Sequence, residues 1–266
     1  TPIDWNQVRN ARYDFVFVKA TEGDSREPQV KNPYLETDVA NSRATGMIVG
    51  AYHFARPDYG NDPSDEARYF ASVAGQYIKE GYLRPALDLE CGAQRTEICT
   101  GPNLLSKEQL SQWVHEWMST VKNETGIEPI IYVNSNYAEK YLNSSVAKYD
   151  LWIAHWTYDP SRPPDTGIWK VAKKDWAFWQ YSDRGSVPGG IGGNVDLDIF
   201  NGSRSQLRDF MVKSAQAATD TKLPVVNAFD VQPRSAISGA PFTIPYTVSD
   251  SGGSGLKQLE LWRSKG

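Results

Sequence analysis

Arg84-Pro85-Ala86-Leu87-Asp88-Leu89-Glu90 reads as a strand of about seven residues. Side chains alternate between the faces of a strand. Leu87 and Leu89 therefore point one way, and Ala86, Asp88 and Glu90 the other, with the two carboxylates about 6.6 Å apart along the chain. Burying an acid is expensive unless it is paired or hydrogen-bonded. Two acids on one face also oppose each other's ionisation, which raises one pKa and leaves the other group charged. A proton donor beside an anion is the pairing that glycosidic bond cleavage uses. The competing reading is a salt-bridged pair at a strand end, because Asp-x-Glu alone is a weak pattern.

Outward from this stretch, apolar strands alternate with helices. Toward the N-terminus, Ile3 to Val8 reads as a short helix and Tyr13 to Ala20 as a strand ending in Thr21-Glu22-Gly23. Asn32 to Gly46 is a helix with a glycine stop, and Met47 to Phe54 a second buried strand. Asp62 to Gly81 is a helix, with Asp62 or Ser64 as cap and Pro63 in its first turn. On the other side, Ser106 to Gly126 is the longest helix, and Ser106 with Gln109 fits a capping box. Strands follow at Pro129 to Asn134, Asp150 to Trp156, Trp176 to Tyr181 and Asn194 to Phe200, with a short helix at Tyr137 to Leu142 and a Gly/Pro loop at Gly185 to Gly193. Near-continuous apolar strands alternating with helices imply an α/β fold with a parallel sheet covered on its outer face. The strand count is seven, whereas a closed β/α barrel has eight. Polar residues collect at the C-terminal strand ends, where such barrels place their active sites: Lys19, Glu22, His53, Asp88, Glu90, Asn134, His155 and Gln180.

Composition narrows the function. The chain of 266 residues carries a net charge of -4 from 28 basic and 32 acidic residues, with no basic run that would bind nucleic acid. No apolar run reaches the roughly 18 residues of a membrane span. The sequence opens on Thr1-Pro2-Ile3-Asp4 without a signal peptide, which reads as a cytosolic or an already processed chain. Nine Trp and fourteen Tyr supply aromatic faces that bind sugar rings or fill a core. The only cysteines, Cys91 and Cys99, flank a polar loop just after the acidic strand. A disulfide there would staple the loop and imply an oxidising compartment; two free thiols is the other reading. A metal site would need more ligands at tighter spacing, so no metal and no cofactor are expected.

From about Ser214 the character changes. Residues 1–213 read as one domain, 214–224 as a linker and 225–266 as the start of a β module. In that module Phe242 to Val248 and Leu256 to Trp262 look like strands about a Ser/Gly turn. The pattern resembles the opening of an immunoglobulin-like sandwich, which needs about 100 residues.

Eight segments, in order, carry a resemblance to a known family. They are Ile3-Asp4-Trp5, Phe15 to Gly23, Gly50 to Phe54, Leu87 to Glu90, Ile131-Tyr132, Leu151 to Ala154, Trp179-Gln180-Tyr181 and Asn194 to Asp198. Each is weak alone; together they are specific. Over roughly residues 1–205 the chain resembles glycoside hydrolase family 25, the Chalaropsis-type lysozymes. The resemblance implies an irregular (β/α)8-type barrel and a secreted muramidase. Such an enzyme cleaves the β-1,4 bond from N-acetylmuramic acid to N-acetylglucosamine in bacterial cell-wall peptidoglycan, and a monomer is expected. Family members open with a strand of the type Gly-(Ile/Val)-Asp-(Val/Ile)-Ser. On that pattern the first strand, with an active-site aspartate, is missing here, which accounts for the count of seven.

Carried over by motif, Glu90 is the general acid, Asp88 its partner and Asp196 a further acidic wall residue, with Asp198 left to cap a turn. Tyr52, Phe54, Tyr132, Gln180 and Trp156 are the expected sugar contacts, and Lys19 and Glu22 belong to the strand-end motif close to the site. Asp88 has three roles open to it: direct attack on the sugar, orientation of the substrate's 2-acetamido group, or assistance to a water; the second is favoured. His53 and His155 are expected to make structural hydrogen bonds, and Trp113 and Trp117, four apart on the long helix, to pack. Two other functions stay open: a non-catalytic peptidoglycan- or glycan-binding barrel, and a hydrolase of another N-acetylglucosamine polymer such as chitin.

Overall fold

The computed structural model describes residues 3–25, 31–91, 104–213, 225–229 and 246–249, and divides into two units, Thr1–Lys213 and Ser214–Gly266. The first holds a seven-stranded sheet in sequential order: β1 (Phe15–Glu22), β2 (Ile48–Phe54), β3 (Ala86–Asp88), β4 (Ile130–Asn134), β5 (Leu151–Ala154), β6 (Trp176–Gly185) and β7 (Val195–Phe200). The sheet curls into a half-barrel, with β1 and β7 as its edges. Helices α1 (Trp5–Asn10), α2 (Leu35–Ala44), α3 (Pro63–Ala74), α4 (Lys107–Thr125), α5 (Ser135–Tyr141), α6 (Ile168–Val171) and α7 (Arg204–Asp209) complete the unit.

Strands β1 to β6 pair in parallel, as their alternation with helices implies. The last pair is a correction: β6 and β7 are antiparallel. A parallel crossover needs a dozen or more residues, usually a helix, and the Gly/Pro-rich loop between these strands contains none. The acidic strand is a second correction, since three residues of it are strand rather than seven. Glu90 lies past its end, while the Leu89 N–H still bonds the Tyr132 carbonyl.

Alternation along the strands builds two apolar layers. Val18, Ala20, Val49, Ala51, Leu87, Leu89, Ile131, Val133, Leu151 and Ile153 face the helices and meet Phe70, Trp113 and Trp117 of α3 and α4. Trp113 and Trp117 are buried packing residues, as their spacing implies. The opposite side chains fill the concave face with aromatics. Phe17 stacks on Trp152 at 4.3 Å, and Phe15 and Phe17 meet Phe178 edge-on. Helix ends are set by local side chains: Asp62 caps α3 ahead of Pro63, and Ser106 with Gln109 closes the capping box of α4.

His53 is wholly buried, with Nδ1 2.8 Å from the Thr21 hydroxyl and Nε2 2.8 Å from Glu66, while its ring lies against Trp117. It is a structural residue that ties β1 and β2 to α3. His155 contributes backbone groups, its carbonyl accepting from Trp179 Nε1.

In the second unit, β8 (Val225–Phe229) and β9 (Tyr246–Ser249) form an antiparallel pair. The first of these falls where no strand was expected. Leu256 to Trp262, and with it most of the expected immunoglobulin-like module, lies outside the described residues.

Candidate active site

A cleft of about 690 Å³ opens on the concave face of the half-barrel, within the size range of small-ligand sites. Strand register assembles it. Phe54, Asp88 and Tyr132 are neighbours across β2, β3 and β4, Lys19 sits beside Tyr52, and Gln180 sits opposite Asp198. Lys19, Tyr52, Phe54, Asp88, Glu90, Tyr132, Gln180, Asp196 and Asp198 all line the cleft. Asp88 and Glu90 share it although the strand ends between them.

Burial dominates the electrostatics. Asp88 is 8% exposed, and its Oδ1 is buried with no hydrogen-bond partner among the described residues. Its carboxyl is held well above the usual carboxylate range, first by burial, then by Glu90, against the pull of Lys19. Glu90 is pushed up to about 7 by burial and by Asp196, opposed by Tyr132 and Lys19. Asp198 is a correction to the expected turn cap. Its carboxylate accepts from Trp152 Nε1 at 2.7 Å, and burial pushes it up to about 7. Asp196 is more exposed, and its pKa is raised by burial and by Asp183.

Lys19 donates to Glu22 at 2.7 Å and lies 4.8 Å from the Phe54 ring centre. Glu22 does not line the cleft. It accepts from Arg56 at 2.9 Å, and the buried Arg56 also grips Asp58 with two nitrogens. Glu22 therefore acts on the site through Lys19. Trp156 is likewise outside the lining; 48% exposed, it donates its Nε1–H to Gln180 Oε1 at 2.7 Å. Tyr132 lies 3.0 Å from the same Gln180 oxygen and 3.4 Å from Glu90 Oε2.

Sequence reasoning did not single out Trp152 or Arg56. Trp152 was within reach, since it lies two residues before Ala154 on the concave face. Arg56 follows β2 in a turn whose folding no periodicity reveals. The expected Cys91–Cys99 disulfide involves Cys99, which lies outside the described residues. Among the described residues no group of three or more His, Cys, Asp or Glu is placed to hold a metal ion, and no helix is long and apolar enough to cross a membrane.

The profile of the glycosyl hydrolases of family 25 matches residues 1–190, a span that ends before β7. Lysozyme M1 of Streptomyces globisporus is 34% identical over 209 residues, covering 77% of this chain and 66% of that protein. The chain thus spans just under two thirds of that relative. A solved bacterial lysozyme from Streptomyces coelicolor is 32% identical with a TM-score of 0.66, covering 78% of this chain and 90% of the other. A family GH25 lysozyme from Aspergillus fumigatus is 27% identical with a TM-score of 0.66, covering 80% and 94%.

Proposed function

The chain belongs to the glycosyl hydrolases of family 25, and from that membership and the acids of the cleft we propose that it is a lysozyme acting on bacterial peptidoglycan. The bond cleaved is the β-1,4 link from N-acetylmuramic acid to N-acetylglucosamine. That substrate places the site of action outside the cytoplasmic membrane, which fits relatives named as a lysozyme and an autolytic lysozyme.

One observation supports the division of roles: Asp88 Oδ1 is buried without a hydrogen-bond partner among the described residues, in the same cleft as a Glu90 whose pKa is raised to about 7. A general acid must hold its proton at working pH, and Glu90 does so below about pH 7. An unpartnered buried carboxylate oxygen is costly. A substrate acetamido N–H directed at Asp88 Oδ1 supplies the missing donor and lets Asp88 ionise while Glu90 keeps its proton. With that N–H held, the acetamido oxygen is turned toward the anomeric carbon. It forms the new C–O bond as the glycosidic C–O bond breaks and Glu90 gives its proton to the leaving oxygen. Water then opens the resulting cyclic intermediate, giving a proton back to Glu90. Tyr52, Phe54 and the Lys19 ammonium face the same volume and contact the sugar rings.

The test is a digest of purified peptidoglycan, reduced with borohydride and read by mass spectrometry. Reduced N-acetylmuramic acid ends are expected. Reduced N-acetylglucosamine ends would overturn the bond assignment, and an absence of new ends would overturn the activity. The role of Asp88 is tested on glycan from which the N-acetyl groups have been removed: cleavage is expected to be lost, and cleavage at an unchanged rate would contradict acetamido participation.

A further inference from the structure

Gln180 is linked to Glu90 through the hydroxyl of Tyr132. Its side-chain amide lies between Trp156 and Tyr132, and both approach the same atom, Oε1, at 2.7 Å and 3.0 Å. An indole N–H is a donor only, so the atom facing it must be the amide oxygen. Tyr132 has one hydroxyl proton, and it can meet that oxygen only by donating it. Both side chains are buried, Gln180 at 3% exposed on β6 and Tyr132 at 5% on β4, with β5 paired between the two strands. The single Tyr132 proton has two acceptors within reach, Gln180 Oε1 at 3.0 Å and Glu90 Oε2 at 3.4 Å; when it goes to the nearer one, the tyrosine oxygen presents a lone pair to Glu90. A protonated Glu90 can donate to that lone pair, whereas an ionised Glu90 is repelled by it unless the Tyr132 proton leaves Gln180.

We propose that Gln180 is a positioning residue: by taking the Tyr132 hydroxyl proton it turns the tyrosine lone pair toward Glu90 and keeps Glu90 in its acid form. The inference rests on the reading of Glu90 as the proton donor, and adds what holds the proton there. The Tyr132 hydroxyl draws the Glu90 pKa down, and the nearer Gln180 oxygen limits that pull by competing for the same proton. Among the described residues, the other groups that act on or are acted on by Glu90 are Asp88 from β3, Lys19 from β1, Asp196 from β7, Tyr52 from β2 and Tyr137 from α5, with Asp198 of β7 lining the same cleft. None of these changes when Gln180 alone is replaced. Trp156 keeps the amide from flipping: with its indole donor present, the NH2 group cannot turn toward Tyr132 without losing the 2.7 Å bond.

The experiment is a carbon-13 NMR titration of the glutamate side-chain carboxyls in the full chain, with the Glu90 signal assigned by its loss in Glu90→Gln. Gln180→Leu removes the acceptor and frees Tyr132 to donate to Glu90. The Glu90 midpoint is expected to fall by about one pH unit, a tenfold change in ionisation. In a Tyr132→Phe background the same substitution is expected to move it by less than about a third of that, because sites that act through one group are not additive. A Gln180→Leu midpoint that stays put or rises would overturn the proposal, and so would an equal fall in the Tyr132→Phe background. Gln180→Met, unbranched and also without the amide acceptor, gives the same reading should the leucine variant fold poorly. The alkaline limb of kcat/KM is expected to move with the NMR midpoint. Because the titration needs no turnover, an inactive chain would contradict the proposed function and leave the Gln180 result readable.

Discussion

At the residue scale, the cleft concentrates acids whose protonated forms the fold favours. The alkaline limb of the kcat/KM profile is expected near pH 7, where Glu90 loses its proton; a profile still flat at pH 9 would contradict Glu90 as the acid. Asp198 makes a stability prediction. Its folded pKa, about 7, lies above that of the unfolded chain, so in the window between the ordinary carboxylate range and about pH 7 the unfolded state binds fewer protons. Stability therefore falls as pH rises through that window. Asp198→Asn retains an acceptor for Trp152 and removes the charge. Its Tm is expected to match the parent at pH 4 and exceed it at pH 8 by a few degrees, at ~2–4 °C for each kcal/mol recovered. Much of this site was legible in the sequence: period-two alternation put Asp88 with Glu90 and Asp196 with Asp198 on shared faces. What alternation does not carry is the partner. That Asp198 meets an indole N–H, and that Gln180 receives two donors on one oxygen, depends on which residues the sheet curls together.

At the element scale, the β6–β7 hairpin closes one wall of the site, and its loop is pinned to the start of α1. The Asp4 N–H bonds the Gly189 carbonyl at 2.8 Å. Gly189 has φ +110°, and a Cβ there would sit 2.7 Å from the Asp4 carbonyl oxygen. Gly189→Ala is therefore expected to cost ~1–3 kcal/mol in urea unfolding, with reduced activity because β7 carries Asp196 and Asp198. Unchanged stability would mean that the loop relaxes freely. Strand and helix positions were readable from hydrophobic periodicity and caps. Strand direction at β7 was not read, although the missing crossover helix carried that signal. The shortness of β3 was invisible, because Leu89 and Glu90 keep the alternating pattern beyond the last paired residue.

At the scale of the whole molecule, the half-barrel extends to Lys213 in the chain. Phe210 packs edge-on against Phe178 and Phe200, Met211 bridges to Leu83, and Val212 exchanges backbone bonds with Gly81 and Tyr82. A chain stopped after Lys213 is expected to melt at the same temperature as the barrel transition of the parent. One stopped after Arg208 loses the part-buried Phe210 and Met211 and the buried Val212, and is expected to be less stable by ~2–4 kcal/mol, the range for removing large apolar side chains from a packed site. Equal melting of the two would contradict the role given to residues 210–212. The eight ordered segments made the family legible from sequence, since seven of them lie on or beside the strands that build the cleft and the first, Ile3-Asp4-Trp5, opens α1.

The central claim is that Glu90 is the proton donor of a peptidoglycan hydrolase. Its most direct test is the rate of glycan cleavage by the parent chain and by Glu90→Gln at pH 6, with circular dichroism showing that both are folded. The expected result is a loss of about 10²–10⁴-fold with the fold intact; a folded Glu90→Gln that cleaves within a few-fold of the parent rate would contradict the account.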